Sequence, residues 1–330
     1  MEPRVASSVP APLRDLDPSP GCRKCRSRGS DIVNSDVILR RIPSVALLFS
    51  LACCAELAVA RAQGDRPLQI SLTPSMLYPG DVVRVEVDGA VERERITGTA
   101  LGEDIAFHFD PQPRKHQALV GIDLDTKPGA HRLRILRQDA GYPVTLTLHI
   151  LPKQFPVRRL RVPGNFVEPP AEALEQIKRD SATLAEAYSR VSARKWAKAF
   201  VLPVDGKPTS NFGTRSYYNG QQRAPHAGVD FVGKPGTPIR AANHGEVVVA
   251  ASMYFTGNTV VVDYGDRLFS VFAHLSELHV KAGDTVEPTT IVGLVGATGR
   301  VTGPHLHWSV RLNGARVDPL SLLAAANGAP

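Results

Sequence analysis

Six of the ten histidines fall between His226 and His307, and two short patterns in that span could do chemistry. One is His226-Ala-Gly-Val-Asp230 and the other is His305-Leu-His307. Zinc takes imidazole and carboxylate ligands in tetrahedral sites, and a catalytic site keeps one position open for water. Residues two apart on a strand point to one face, so His305 and His307 can both face a cleft. His226 and Asp230, four apart, share a face if their segment is extended. Two neutral imidazoles and one carboxylate leave Zn²⁺ with one net positive charge, enough to bring bound water to a pKa of about 7. Either pattern alone is weak, since an H-x-H pair is usually a surface strand. Spacing also leaves open which of His305 and His307 would bind metal.

The surroundings strengthen both patterns. Gly299-Arg-Val-Thr-Gly303-Pro304 leads straight into His305, and Phe272-Ala-His274-Leu275 lies between the two motifs. Further stretches are Ser210-Asn-Phe-Gly-Thr-Arg215, Pro225-His-Ala-Gly-Val-Asp-Phe231, Pro235-Gly-Thr-Pro-Ile239, Gly283-Asp284 and Thr298 through Trp308. In this order, the segment from about Leu202 to Leu320 resembles the lysostaphin/LytM-type zinc metalloendopeptidases, a family of peptidoglycan hydrolases.

The resemblance implies a duplicated hybrid-motif catalytic domain with one Zn²⁺ per chain, held by His226, Asp230 and His307. It implies that His274 and His305 are the catalytic pair that positions or deprotonates water and stabilises the oxyanion. The implied reaction is hydrolysis of amide bonds in peptidoglycan peptide cross-links during cell-wall remodelling. Two positions depart from the common pattern: Phe272 stands where Tyr is frequent, and Tyr264 where Asp-His-Gly would have His. Neither is a ligand position. One alternative is a non-catalytic LytM-type activator of other wall hydrolases; such relatives have lost ligands, and all five polar positions are present here. Another keeps the enzyme but gives it an unrelated protein or extracellular peptide as substrate. His244 and His279 read as structural.

The elements that must hold these residues are mainly β. Strands are predicted at Gly245–Ser252, Thr259–Tyr264, Leu268–His274, Thr290–Val295 and His305–Leu312, with glycines between them, making residues 201–330 an all-β domain without a second long helix. Upstream, Val83, Val85 and Val87 alternate with Arg84 and Glu86, and Val144 to Ile150 alternate likewise. Turn signals such as Pro79-Gly80 and Asp88-Gly89 break these runs, which predicts an antiparallel β-sandwich over residues 63–153. The region from Arg66 to about Pro169 resembles the immunoglobulin-like leader domain of some family members, and Phe155 to Pro163 resembles their linker. His108, His116, His131 and His149 lack metal-like spacing and read as strand or surface residues. Residues 154–200 form a linker whose Leu174, Ile177, Leu184, Tyr188 and Val191 recur at helical spacing. They predict an amphipathic helix over Ala171–Ala193 packed on a neighbouring domain.

Composition agrees with a folded chain: 330 residues, 43% hydrophobic and 22% charged, with a net charge of +7. No dense basic run carries interleaved aromatics, so nucleic acid is not an expected partner; a mildly basic surface fits an anionic polymer such as a cell envelope, among other partners. Arg40-Arg41, an apolar run from Ile42 to Ala55 and small residues at Ala58 to Ala62 make a secretory leader over residues 1–62. A spanning helix needs about 20 apolar residues, and Glu56 interrupts this run. The Pro- and Arg-rich residues before it point to an overextended start or to an unusually long leader. All four cysteines, Cys22, Cys25, Cys53 and Cys54, lie in the leader. The mature protein is then expected to be exported, periplasmic or envelope-associated, cysteine-free and not inserted in the membrane.

Overall fold

Alternation in the upstream region translates into two facing sheets. A computed structural model describes residues 67–328, apart from 139–142, 163, 165–166, 198 and 210. The expected leader, residues 1–62 with its cysteines, lies outside the described residues. The first eight strands are β1 (Gln69–Thr73), β2 (Val82–Asp88), β3 (Ile96–Ala100), β4 (Glu103–Ala106), β5 (His108–Asp110), β6 (Lys115–Gly121), β7 (Gly129–Arg137) and β8 (Val144–Ile150). They form sheets of order β1-β2-β6-β5 and β4-β3-β7-β8. With one strand added to the second sheet, this order parallels the ABED-against-CFG arrangement of immunoglobulin sandwiches. Val83, Val85 and Val87 face Ile96, Leu133, Ile135 and Leu148 across a closed core. Each such buried side chain contributes about 1.5–3 kcal/mol.

The linker does two structural jobs. β9 (Val157–Leu160) leaves the sandwich and pairs in parallel with β10 (Arg215–Tyr218). After Pro169-Pro170 a helix runs over Leu174–Ser189. It stops short of the predicted Ala193 because Arg190 turns extended. Leu184, Ala187 and Tyr188 pack on Val249, Met253, Val261, Phe269 and Val271, as an amphipathic helix should. The predicted stripe is longer than the buried one: Leu174 and Val191 are 53% and 80% exposed.

From residue 215 the chain adds β10, β11 (Gln221–Gln222), β12 (Gly228–Val232), β13 (Pro238–Arg240), β14 (Gly245–Met253), β15 (Gly257–Asp263), β16 (Leu268–Leu278), β17 (Thr285–Val286), β18 (Ile291–Val295), β19 (His305–Leu312) and β20 (Ala315–Val317). The main sheet runs β12-β19-β16-β15-β14-β17, with β13, β18 and β20 attached at its margins. Leu306, Trp308, Val310 and Leu312 point into one core, which also takes Phe231, Phe272 and Tyr264. The two positions that depart from the family pattern, Phe272 and Tyr264, are thus core residues with no exposed surface. One further short helix, Pro319–Asn327, was not predicted. Asp318 caps it by accepting the Leu320 N–H, and Gly328 ends it in a left-handed conformation. Among the described residues no helix is long and apolar enough to cross a membrane.

The sandwich and the C-terminal domain share packing. Val82 and Leu124 of the sandwich join the cluster of Leu312, Val317 and Leu322. Arg316 grips Asp123 with two bonds of 2.6 and 3.0 Å. Phe200 closes the linker side: it is 2% exposed, stands edge-on to Tyr264 at 5.3 Å, and its backbone bonds twice to Asn327 at 2.8 Å. Phe200→Ala is expected to cost about 3–5 kcal/mol, the usual range for a buried Phe truncation. Urea unfolding of the full chain measures this; a loss under about 1 kcal/mol would mean the linker end does not complete this core.

Candidate metal centre

Strand register explains why the second motif works. On β19, Leu306 and Trp308 are buried, so His305 and His307 face the opposite side. Asp230 of β12 pairs directly with His307. The His307 Nδ1 lies 2.9 Å from Asp230 Oδ1.

His226 arrives differently from the expectation. It precedes β12, so it is not a strand neighbour of Asp230. The Asn211–Thr214 segment clamps it instead. Its backbone N–H donates to the Thr214 carbonyl at 3.0 Å, and its carbonyl accepts from Gly213 N–H at 2.8 Å. Its ring Nδ1–H donates to the Asn211 carbonyl at 3.1 Å. A carbonyl only accepts, so the proton sits on Nδ1 and Nε2 presents a lone pair. That Nε2 is 3.0 Å from both Asp230 Oδ1 and His307 Nδ1. The sequence patterns flagged this segment without giving it a role.

These three atoms form a group that could hold a metal ion. A tetrahedral ion with bonds of about 2.0–2.1 Å spaces its ligand atoms about 3.3–3.4 Å apart, close to the 2.9–3.0 Å found here. Converging lone pairs from two imidazoles and a carboxylate repel one another, and a shared cation relieves that repulsion. The donor set and its spacing therefore fit a metal. Burial alone would raise the Asp230 carboxyl, but the adjoining His226 and His307 rings hold it well below the usual carboxylate range. Burial is also the largest influence on His307, whose ring it pushes towards the neutral, ligating form.

Gly228 makes room for this arrangement. A Cβ there would run into the Trp308 carbonyl and sit 2.8–2.9 Å from His307 Cε1 and Nε2. Gly228→Ala is expected to displace the His307 ring and weaken metal affinity about 10–100-fold, the size of effect seen when a ligand's support is disturbed. Titration with a competing chelator measures it. Unchanged affinity would mean the ring tolerates the shift.

His274 reaches the site through a bulge. Along β16, Phe272 faces the core, so an unbroken strand would aim His274 there as well. The β15–β16 register slips between Asn258 and Val260, opposite this point. His274 takes φ 69°, a left-handed conformation rare outside glycine. Its N–H donates to the Thr256 carbonyl at 2.8 Å. Such bulges bend a strand and redirect a side chain. The His274 ring consequently sits 4.9 Å from the His305 ring and 6.0 Å from that of His307, centroid to centroid.

Backbone carbonyls fix both outer histidines. His274 Nδ1–H donates to Thr298 O at 3.0 Å, and His305 Nδ1–H to Gly303 O at 2.8 Å. Each Nε2 is then left as an acceptor, and that of His305 lies 3.8 Å from Asp230 Oδ1. Burial first, then the neighbouring His307 and His305, push the His274 ring down to about 4, so it is neutral at pH 7. Thr298 anchors its own loop by donating to the Leu275 carbonyl at 2.7 Å.

The remaining histidines stay outside this group. His108 meets Asp266 at 2.6 Å, His116 is buried against the Val91 carbonyl, and His131 bonds to the Lys127 carbonyl. His149 is exposed and His244 half-buried, and His279 pairs with Glu277 at 3.1 Å.

Comparison with known proteins converges on the same segment. The model of peptidase family M23 matches residues 224–319. Peptidoglycan DD-endopeptidase ShyA of Vibrio cholerae is 40% identical over 121 residues, which are 36% of this chain and 28% of that protein. ShyC, a peptidoglycan DD-endopeptidase of the same organism, is 38% identical over 136 residues, 40% of this chain and 31% of that protein. The chain thus matches less than a third of either protein's length. A crystal structure from Pseudomonas aeruginosa assigned to peptidase M23 is 34% identical and superposes with a TM-score of 0.60, covering 75% of this chain and 95% of that one. Because that likeness takes in nearly all of a solved relative, and the family model spans His226, Asp230, His274, His305 and His307 alike, the chain belongs to peptidase family M23.

Proposed function

We propose that the protein is a zinc-dependent endopeptidase that hydrolyses amide bonds in the peptide cross-links of peptidoglycan, acting outside the cytoplasm. The observation that carries this reading is the convergence of three ligand atoms beside two further histidine rings, His274 and His305, that lie 4.9 Å from each other. His226 Nε2, Asp230 Oδ1 and His307 Nδ1 would hold the ion, and two imidazoles with one carboxylate suit zinc. Bound there, zinc would polarise the scissile carbonyl and lower the pKa of water.

The chain's own residues supply the rest. His274, neutral and with Nδ1 tied to Thr298, accepts a proton at Nε2. His305, tied to Gly303, presents a second Nε2 beside Asp230. One takes the proton from the attacking water and later returns it to the leaving amine; the other, with its Nε2 protonated from solvent beforehand, donates to the developing oxyanion. Intact ligand positions separate this reading from a non-catalytic activator. The peptidoglycan-directed names of the Vibrio relatives support the substrate.

The test is digestion of purified peptidoglycan and of casein by zinc-loaded protein, with mass spectrometry of the released fragments. Expected are wall fragments ending at cleaved cross-links, none after chelation, and intact casein. Casein cleavage with untouched wall would overturn the substrate; no cleavage of either by zinc-loaded protein would overturn the enzyme.

A further inference from the structure

The three-stranded sheet β9-β10-β11 takes no part in metal ligation, yet its composition is one-sided. Residues 156–163 and 211–225 contain Arg158, Arg159, Arg161, Arg215 and Arg223 and no Asp or Glu. Arg215 is paired with Asp125 at 2.9 Å. For the other four, no carboxylate of the described residues lies within ion-pair distance. Arg159 lies over the Tyr217 ring at 5.3 Å and Arg223 over Tyr218 at 6.0 Å. Arg158 donates to the Ser216 hydroxyl at 3.4 Å. Arg158, Arg159 and Arg161 are exposed.

Arg158 and Arg159 on β9, Arg161 just past it and Arg223 just past β11 repel one another, and the repulsion is relieved by an anionic partner. The planar guanidinium matches a carboxylate with two parallel bonds. A tyrosine ring near each of Arg159 and Arg223 offers a cation–π contact. The position matters as much as the charge. The hairpin β10-β11 runs directly into His226, and its base, Asn211 to Thr214, is the segment that clamps that ligand. A polymer bound on the sheet is therefore led to the metal centre.

We propose that this sheet, completed by a strand from the linker, is a docking surface for the carboxylate-bearing stem peptides of intact peptidoglycan. It rests on the peptidoglycan reading above and adds a binding surface to it.

The experiment is co-sedimentation of zinc-loaded full-length protein with purified sacculi in the cold. The test variant is Arg158→Gln/Arg159→Gln/Arg161→Gln, on and just past the edge strand β9 and including none of the proposed ligands. The charge-matched control is Arg95→Gln/Arg132→Gln/Arg134→Gln, three exposed arginines of the sandwich. The test variant is expected to bind about tenfold more weakly, as the loss of three exposed charge contacts allows, with zinc content unchanged; the control should bind as wild type does. A second measurement needs no variant: wild-type protein should bind about tenfold more weakly to sacculi whose carboxylates have been amidated. Equal binding to native and amidated sacculi, or wild-type binding by the test variant, overturns the proposal. So does a test variant that loses binding to duplex DNA or anionic vesicles alone. Arginine-dependent binding without fragment release would sink the hydrolase reading and leave the docking surface standing. Wall digestion with arginine-independent binding does the reverse.

Discussion

His226→Ala, Asp230→Ala and His307→Ala are each expected to yield a protein that no longer retains zinc on purification and no longer digests wall. The three ligand atoms lie 2.9–3.0 Å from one another, and no fourth Asp, Glu, His or Cys among the described residues joins them. Removing one leaves two protein donors. Disturbing a residue that merely orients a ligand costs about 10–100-fold in metal affinity, so deleting the ligand itself should cost more than about 10²-fold. The informative comparison lies within β19. His305 and His307 are two residues apart and face the same side, but only His307 places a ring nitrogen within 3.0 Å of both other donors. His305 Nε2 stays 3.8 Å from Asp230. His305→Ala should therefore keep about one zinc per chain while His307→Ala loses it. Metal analysis of the purified variants reads this directly, and the opposite pattern would exchange the two roles.

How much of this was legible beforehand follows from what each residue depends on. Ligand chemistry is local in sequence, so H-x-x-x-D and H-x-H could be read as a possible metal set. Alternation marked the strands for the same reason: Val83, Val85 and Val87 bury one face of β2. The five strands expected between Gly245 and Leu312 all form, with ends shifted by a few residues. Other features depend on distant parts of the chain. His226 is held by Asn211 to Thr214 rather than by strand geometry, and four-residue spacing cannot reveal a clamp 15 residues upstream. β9 escaped notice because Val157, Arg158 and Arg159 are exposed and its partner lies nearly 60 residues on. The helix Pro319–Asn327 is almost uniformly apolar, so it shows no stripe, although Asp318-Pro319 and Gly328 were readable start and stop signals. The left-handed turn at His274 had no sequence signal, because the carbonyls of Thr256 and Thr298 impose it from two other loops.

That turn shapes the last expected result. His274→Ala should retain about one zinc and lose wall digestion by about 10²–10⁴-fold, the usual worth of a proton-transfer or oxyanion-stabilising group. In free energy this is about 2.7–5.4 kcal/mol of barrier. Alanine, however, inherits φ 69° at this position, where an L side chain costs about 1–2 kcal/mol of backbone strain. His274→Gly removes the ring and relieves the strain together. It should therefore be about 1 kcal/mol more stable than His274→Ala while being equally inactive, which separates loss of chemistry from loss of fold. The ring fits between His305 and His307 at 4.9 and 6.0 Å, so its deletion leaves space that free imidazole can enter. Added imidazole is expected to restore part of the activity of the glycine variant without changing its metal content. A His274→Gly protein that digests wall at the wild-type rate would take His274 out of the chemistry, and one that loses its zinc would make His274 a ligand.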